Sequence, residues 1–118
     1  MIGAVRGPRA SGRDTRVVFA SSGGALYGDF VSPPNEETFP KDPESPYAVS
    51  KLSAELYLAY YARVHGIESA ALRFGNVYGP RQALSNPYTG VLAIFASRLL
   101  NDAPPMIFED GQQQRDFV

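Results

Sequence analysis

Cysteine is absent from these 118 residues, which excludes disulfides, thiolate metal sites and cysteine nucleophiles. Tryptophan is absent too, and the single His65 cannot assemble a metal cluster. No charge of one sign dominates. Eleven basic against twelve acidic residues leave a net charge of −1, with no footprint for nucleic acid or an acidic membrane surface. Only Lys41 and Lys51 are lysines. The unbroken apolar run Val91 to Ala96 is far too short to cross a bilayer. The opening MIGAVRGPRASGRDTR carries charges but no apolar segment of signal-peptide length. From these absences we expect a cytoplasmic protein. What is present is an ordinary globular composition, 44% hydrophobic and 19% charged, with length for one small domain but not for a cofactor domain plus a substrate domain.

Residues 1–15 are rich in Gly, Arg and Ser without periodicity, and read as a loop or a frayed helix end. Arg16 to Ser22 is a β-branched and aromatic run that Gly23-Gly24 ends, so it predicts a buried strand opening into a loop. Five prolines among polar residues make 28–46 a surface loop. The clearest helix follows, with Ser45 as cap, Pro46 at its first position and Gly66 as its stop. Its expected apolar stripe is Ala48, Leu52, Leu56 and Ala59, with Glu55, Arg63 and His65 turned to solvent. Ile67 to Phe74 predicts a second strand, Gly90 to Leu100 another helix, and Met106-Ile107-Phe108 a short strand before a turn at Asp110-Gly111. Strand, loop, helix, strand is a βαβ crossover, which implies a parallel sheet covered by helices.

Chemistry concentrates at the mouth of the first helix. Tyr47 and Lys51 are four residues apart and so share a face. A tyrosine of ordinary pKa, about 10, is a poor base at neutral pH, and a neighbouring ammonium favours the phenolate that general acid–base catalysis needs. By itself such a pair is equally what a half-buried tyrosine with a solvated lysine would give. Ser21 and Ser22 end the first strand, and ligands of open α/β sheets bind beyond the carboxyl ends of strands. Standing alone, those serines would be ordinary turn residues.

Three segments together carry more: Phe19-Ala20-Ser21-Ser22-Gly23-Gly24-Ala25-Leu26-Tyr27-Gly28, then Ser45-Pro46-Tyr47-x-x-x-Lys51, then Leu72-Arg73-Phe74-Gly75-Asn76-Val77-Tyr78-Gly79-Pro80-Arg81. In this order they resemble the NAD-dependent epimerase/dehydratase family of extended short-chain dehydrogenases, and Ile107 to Val118 resembles a fourth family block. The resemblance covers residues 16–118. It implies an α/β fold, a partial Rossmann-type doubly wound parallel sheet over residues 1–81, with the start of a substrate-binding lobe over 82–118. It implies NAD as cofactor, a UDP-hexose as the nucleotide-sugar substrate, 4-epimerisation as the reaction, and a homodimer.

The same resemblance assigns the residues. Tyr47 would transfer the proton, and Lys51 would support it and bind the nicotinamide ribose. Ser22 would orient the substrate hydroxyl, with Ser21 the alternate. Phe74 and Gly75 would approach the nicotinamide through their backbone. Asn76 would contact the diphosphate, Phe108 would lie near the nucleobase, and Arg115 would pair with a phosphate. For Phe108 a place in the core, and for Arg115 an ordinary surface position, stay open.

Two departures matter. Dehydratases of the family place an acid pair after the hydroxyl residue, where this chain has Gly23 and Gly24 and no carboxylate before Asp29. That argues for epimerisation over loss of water, with a reductase, dehydratase or decarboxylase of the same family, or a non-catalytic fragment, as the alternative. No G-x-G-x-x-G phosphate loop occurs. The expectation is therefore a fragment lacking roughly the first hundred residues of such an enzyme, inactive alone.

Overall fold

The computed structural model describes residues 16–28, 34–83, 90–108 and 110–118. The expectations for residues 1–15 and for the middle of the 28–46 loop lie outside these. Two compact units divide the chain, Met1–Phe74 and Gly75–Val118.

In the first unit the order is β1 (Val17–Ser22), α1 (Gly23–Leu26), α2 (Pro46–His65) and β2 (Ser69–Phe74). β1 and β2 pair in parallel from Val17↔Ser69 to Ser22↔Phe74, as expected of a βαβ crossover. Ser45 caps α2, its Oγ accepting from Ala48 N–H at 3.1 Å, and Pro46 occupies the first turn, where a missing N–H costs nothing. Gly66 ends the helix in the left-handed region at φ 66°, with its N–H donating to Ala62 O at 3.1 Å. Ile67, buried just beyond the cap, closes the turn.

Two readings of this unit are corrected. The residues after Ser22 form a single helical turn, α1, rather than a loop, and its Leu26 is fully buried with Tyr27 beside it. The sheet-facing side of α2 is also rotated relative to the expected stripe. Ala48 and Leu58 are buried, Leu56 is 64% exposed, and Glu55 faces inward rather than to solvent. The cause is electrostatic: Arg73 on β2 meets the Glu55 carboxylate, so a charged residue can take a place that periodicity reserves for a leucine.

α2 covers one face of the strand pair, through Lys51 over Phe19 and Glu55 against Ser21. The opposite face, with Val18, Leu72 and Phe74, is exposed, so helical cover is met on one side only among the described residues.

In the second unit α3 runs Val91–Leu100. Residues 106–108 are irregular and exposed and do not form the expected strand. No neighbouring strand takes up their backbone groups among the described residues, and three apolar residues cannot form a ladder alone. Asp110-Gly111 does turn, with Gly111 at φ 72° and Asp110 Oδ1 accepting from Gln112 N–H at 3.0 Å. Asn76 and Phe117 form a parallel bridge. Among the described residues no helix is long and apolar enough to cross a membrane, and no group of His, Cys, Asp or Glu could hold a metal.

Because one side-chain oxygen caps the first turn of α2, Ser45→Ala should destabilise the chain by about 1 kcal/mol, read as a lowered midpoint of thermal unfolding by circular dichroism. An unchanged midpoint would mean that the cap contributes nothing.

Candidate active site

The end of β1 and the first turns of α2 meet in the first unit. Lys51 Nζ donates to Ala20 O at 2.8 Å, one residue before the two serines. Its ammonium lies 4.9 Å from the centroid of the Phe19 ring and 5.5 Å from that of Tyr47. Lys51 is thus anchored rather than merely solvated, and a bound cation stands beside the Tyr47 ring. Tyr47 itself is 55% exposed, so its phenol is open to a ligand.

The two serines diverge, as alternation along a strand requires. Ser21 is buried and its Oγ donates to Glu55 Oε1 at 2.6 Å. Ser22 is half-buried, sits at the N-cap of α1 without making a side-chain cap bond, and pairs in register with Phe74. Ser22 is therefore the serine with a hydroxyl available to a substrate.

The two glycines after Ser22 stand in different surroundings. Neither residue has a positive φ. A Cβ on Gly23 would stand 3.0 Å from the Arg73 carbonyl oxygen, so the missing side chain lets α1 start against the end of β2. A Cβ on Gly24 would meet nothing within 4 Å. Open space exists after Ser22, but at Gly24 alone.

Sequence reasoning missed the group that ties these parts together. Glu55 accepts from Ser21 Oγ and from Arg73 Nε at 3.0 Å through Oε1, and from Arg73 Nη2 at 2.6 Å through Oε2. Arg73 Nη1 donates to Tyr27 Oη at 2.8 Å and to Glu37 O at 3.1 Å. The side chains of Glu55 and Arg73 are only 10% and 22% exposed. The Arg73 hydrogen bonds hold the Glu55 carboxyl below the ordinary 4.5, against the opposing effect of burial, with Ser21 adding to the depression. The same carboxylate pushes the Arg73 guanidinium further up. The signal that could have found this is spacing: 47, 51 and 55 step along α2 by four residues each.

Phe74 ends β2 and the first unit, and Gly75, Asn76, Phe108 and Arg115 lie in the second. Gly75 is required by close approach, since a Cβ there would be 2.7 Å from Asp116 O. Asn76 N–H donates to Asp116 O at 2.7 Å and its side-chain amide donates to the same oxygen at 3.4 Å, while Val118 N–H donates to Asn76 O at 3.0 Å. Phe108 is 70% exposed. Arg115 is exposed, with Nη1 donating to Gln114 O at 2.9 Å. A cleft of about 350 Å³ lined by Tyr78, Arg81, Gln82 and Leu92 contains none of the nominated residues.

Residues 4–118 match the NAD dependent epimerase/dehydratase family. A Methanocaldococcus jannaschii protein provisionally named as a UDP-glucose 4-epimerase is 48% identical over 103 residues, 87% of this chain and 33% of that protein. Among solved structures, the UDP-glucose 4-epimerase of Thermotoga maritima with UDP-glucose matches with a TM-score of 0.82 and 44% identity, over 87% of this chain and 33% of the other. The Thermus thermophilus UDP-glucose 4-epimerase in complex with NAD gives 0.74 and 45%, over 87% and 35%. These neighbours fix the fold as a part of a Rossmann-type α/β domain. The chain spans about a third of the length of the curated relatives it matches.

The ion pair generates a pH dependence with a definite sign. A carboxylate whose folded pKa lies below its unfolded value adds stability that is complete above the unfolded value and is lost as pH falls through the folded one. For Glu55 that loss begins below 4.5. Glu55→Gln should lower the thermal midpoint near neutrality and flatten its decline between about pH 5 and about pH 3. Parallel declines in the two proteins would show that the pair adds no stability.

Proposed function

The chain belongs to the NAD dependent epimerase/dehydratase family, and from that premise we propose that the full-length protein is an NAD-dependent sugar-nucleotide 4-epimerase acting on UDP-hexoses. The observation that carries the reading is Lys51 pinned to the Ala20 carbonyl beside an exposed Tyr47, at the carboxyl end of a parallel strand. The names of the relatives support the substrate class.

The residues present fit one end of the cofactor. Of the three donors on the Lys51 ammonium, Ala20 O takes one, which leaves others for a ribose hydroxyl beside Tyr47. Phe74 would border the nicotinamide. NAD, when bound, supplies the reversible acceptance of hydride from a sugar carbon. Ser22 orients the sugar hydroxyl. As the carbon–hydrogen bond at that carbon breaks, the phenolate oxygen of Tyr47 accepts the hydroxyl proton, and it returns the proton when the hydroxyl re-forms with the opposite configuration. Lys51 keeps a positive charge beside the Tyr47 ring, whose oxygen takes and returns the proton.

Asn76, Phe108 and Arg115 serve the nucleotide end in this reading, with exposed Arg115 as the phosphate donor and exposed Phe108 as the surface for the nucleobase. Residues 1–81 then form the C-terminal part of the NAD-binding domain, and 82–118 begin the substrate lobe. Val49, Leu56, Tyr57, Tyr60 and Val64 stand exposed on α2 and support a homodimer through that helix. The second reading, a dehydratase, lacks its acid pair, because Gly23 and Gly24 offer no carboxylate.

In the full-length protein Tyr47→Phe should lower kcat by about a hundredfold or more while nucleotide-sugar affinity stays within about threefold, since proton transfer is removed and binding is not. Retention of more than about a tenth of wild-type kcat would remove Tyr47 from the acid–base role.

A further inference from the structure

The proton-transfer pair on α2 is continued by a third residue at the same spacing. Tyr47, Lys51 and Glu55 advance along the helix by four residues at each step, so one face carries phenol, ammonium and carboxylate in succession. Lys51 meets β1 at Ala20 O, and Glu55 meets it at the next residue, Ser21. Ser21 is the register partner of Arg73 across the parallel ladder. The Glu55 carboxylate therefore sits on a single rung of the sheet, held from β1 by a hydroxyl and from β2 by a guanidinium fork. Every donor-bearing nitrogen of Arg73 is engaged, the remaining one by Tyr27 Oη and Glu37 O. Lys41 lies over the Tyr27 ring, 4.7 Å from its centroid, and its ammonium donates to Glu37 O at 2.8 Å and to Phe39 O. Among the described residues no buried side-chain polar atom lacks a partner.

A helix lying on a sheet by apolar contact alone can slide or roll by fractions of an ångström. Here the sheet-facing side chains of α2 are small or few, with only Ala48 and Leu58 buried. A charged, directional clamp placed one turn from Lys51 removes that freedom. We propose that Glu55, gripping the Ser21–Arg73 rung, is a positioning residue that fixes the helical face bearing Tyr47 and Lys51 over the end of β1. The clamp also commits the Ser21 hydroxyl, which leaves Ser22 as the serine for substrate. It rests on the reading of Tyr47 as the acid–base residue, through which it acts.

The test is a double-mutant cycle in the full-length protein with UDP-glucose as substrate, comparing wild type, Glu55→Gln, Tyr47→Phe and the double variant. Glu55→Gln should lower kcat by about ten- to a hundredfold, the usual effect of displacing a reacting group by a fraction of an ångström to an ångström. KM should move less than about threefold, and the helical circular dichroism at assay temperature should match wild type. In the Tyr47→Phe background the same substitution should cost less than about twofold, because its effect passes through the missing phenol. A purely structural pair would give losses that add in the two backgrounds, and that result overturns the proposal. So does a Glu55→Gln kcat within about threefold of wild type. Arg73→Lys, which keeps the charge but removes the fork, provides the second variant and should reproduce the same pattern. Failure of both variants to fold would overturn the positioning role, since the pair would then hold the fold rather than the catalyst. If Tyr47→Phe alone retained full activity, the acid–base reading would fall instead, and the proposal with it.

Discussion

A carboxylate brought out of water against a sheet needs compensation, and Glu55 receives it from a hydroxyl on one strand and a guanidinium on the next. That requirement shapes much of the first unit. It sets which face of α2 turns inward, holds Ser21 so that only Ser22 remains available, and brings Tyr27 under Arg73. Lys51 repeats the device one turn earlier with a backbone carbonyl as its partner. The reacting groups of the proposed enzyme thus stand on polar anchors rather than on a deep apolar core, and the described core is indeed small.

Much of the βαβ unit was legible because its signals are local. A serine cap, a proline in the first turn and a glycine that can adopt positive φ fix the ends of α2 with little help from the rest of the chain. The parallel pairing followed from the order of elements alone. The inward turn of Glu55 was missed although it shares a face with Tyr47 and Lys51, because a polar residue is read as outward unless its partner is known. That partner, Arg73, lies eighteen positions away on another element. The α1 turn was hidden because glycines usually signal loops, whereas Gly23 is demanded by the Arg73 carbonyl. Met106-Ile107-Phe108 has strand composition but no strand to join among the described residues, and composition cannot report the absence of a partner.

The site residues divide in the same way. Tyr47, Lys51 and the two serines come together because one helix and one strand carry them. Which serine is free depends on strand alternation combined with the position of Glu55, and the sequence alone held both open. In the second unit, Gly75 and Asn76 are explained locally by the close approach of Asp116. Phe108 and Arg115 are exposed, which leaves their surfaces available for a ligand.

In the proposed reading the full-length protein epimerises a nucleotide sugar and does not dehydrate it. Loss of water needs side chains that deprotonate beside a transient ketone and protonate the leaving hydroxyl, and after Ser22 the chain offers a glycine packed on Arg73 and another beside open space. Proton NMR of the products formed by the full-length protein from UDP-glucose with NAD tests this directly. UDP-galactose and no deoxy sugar are the expected products; a methyl doublet from a 4-keto-6-deoxy sugar would overturn the epimerase reading.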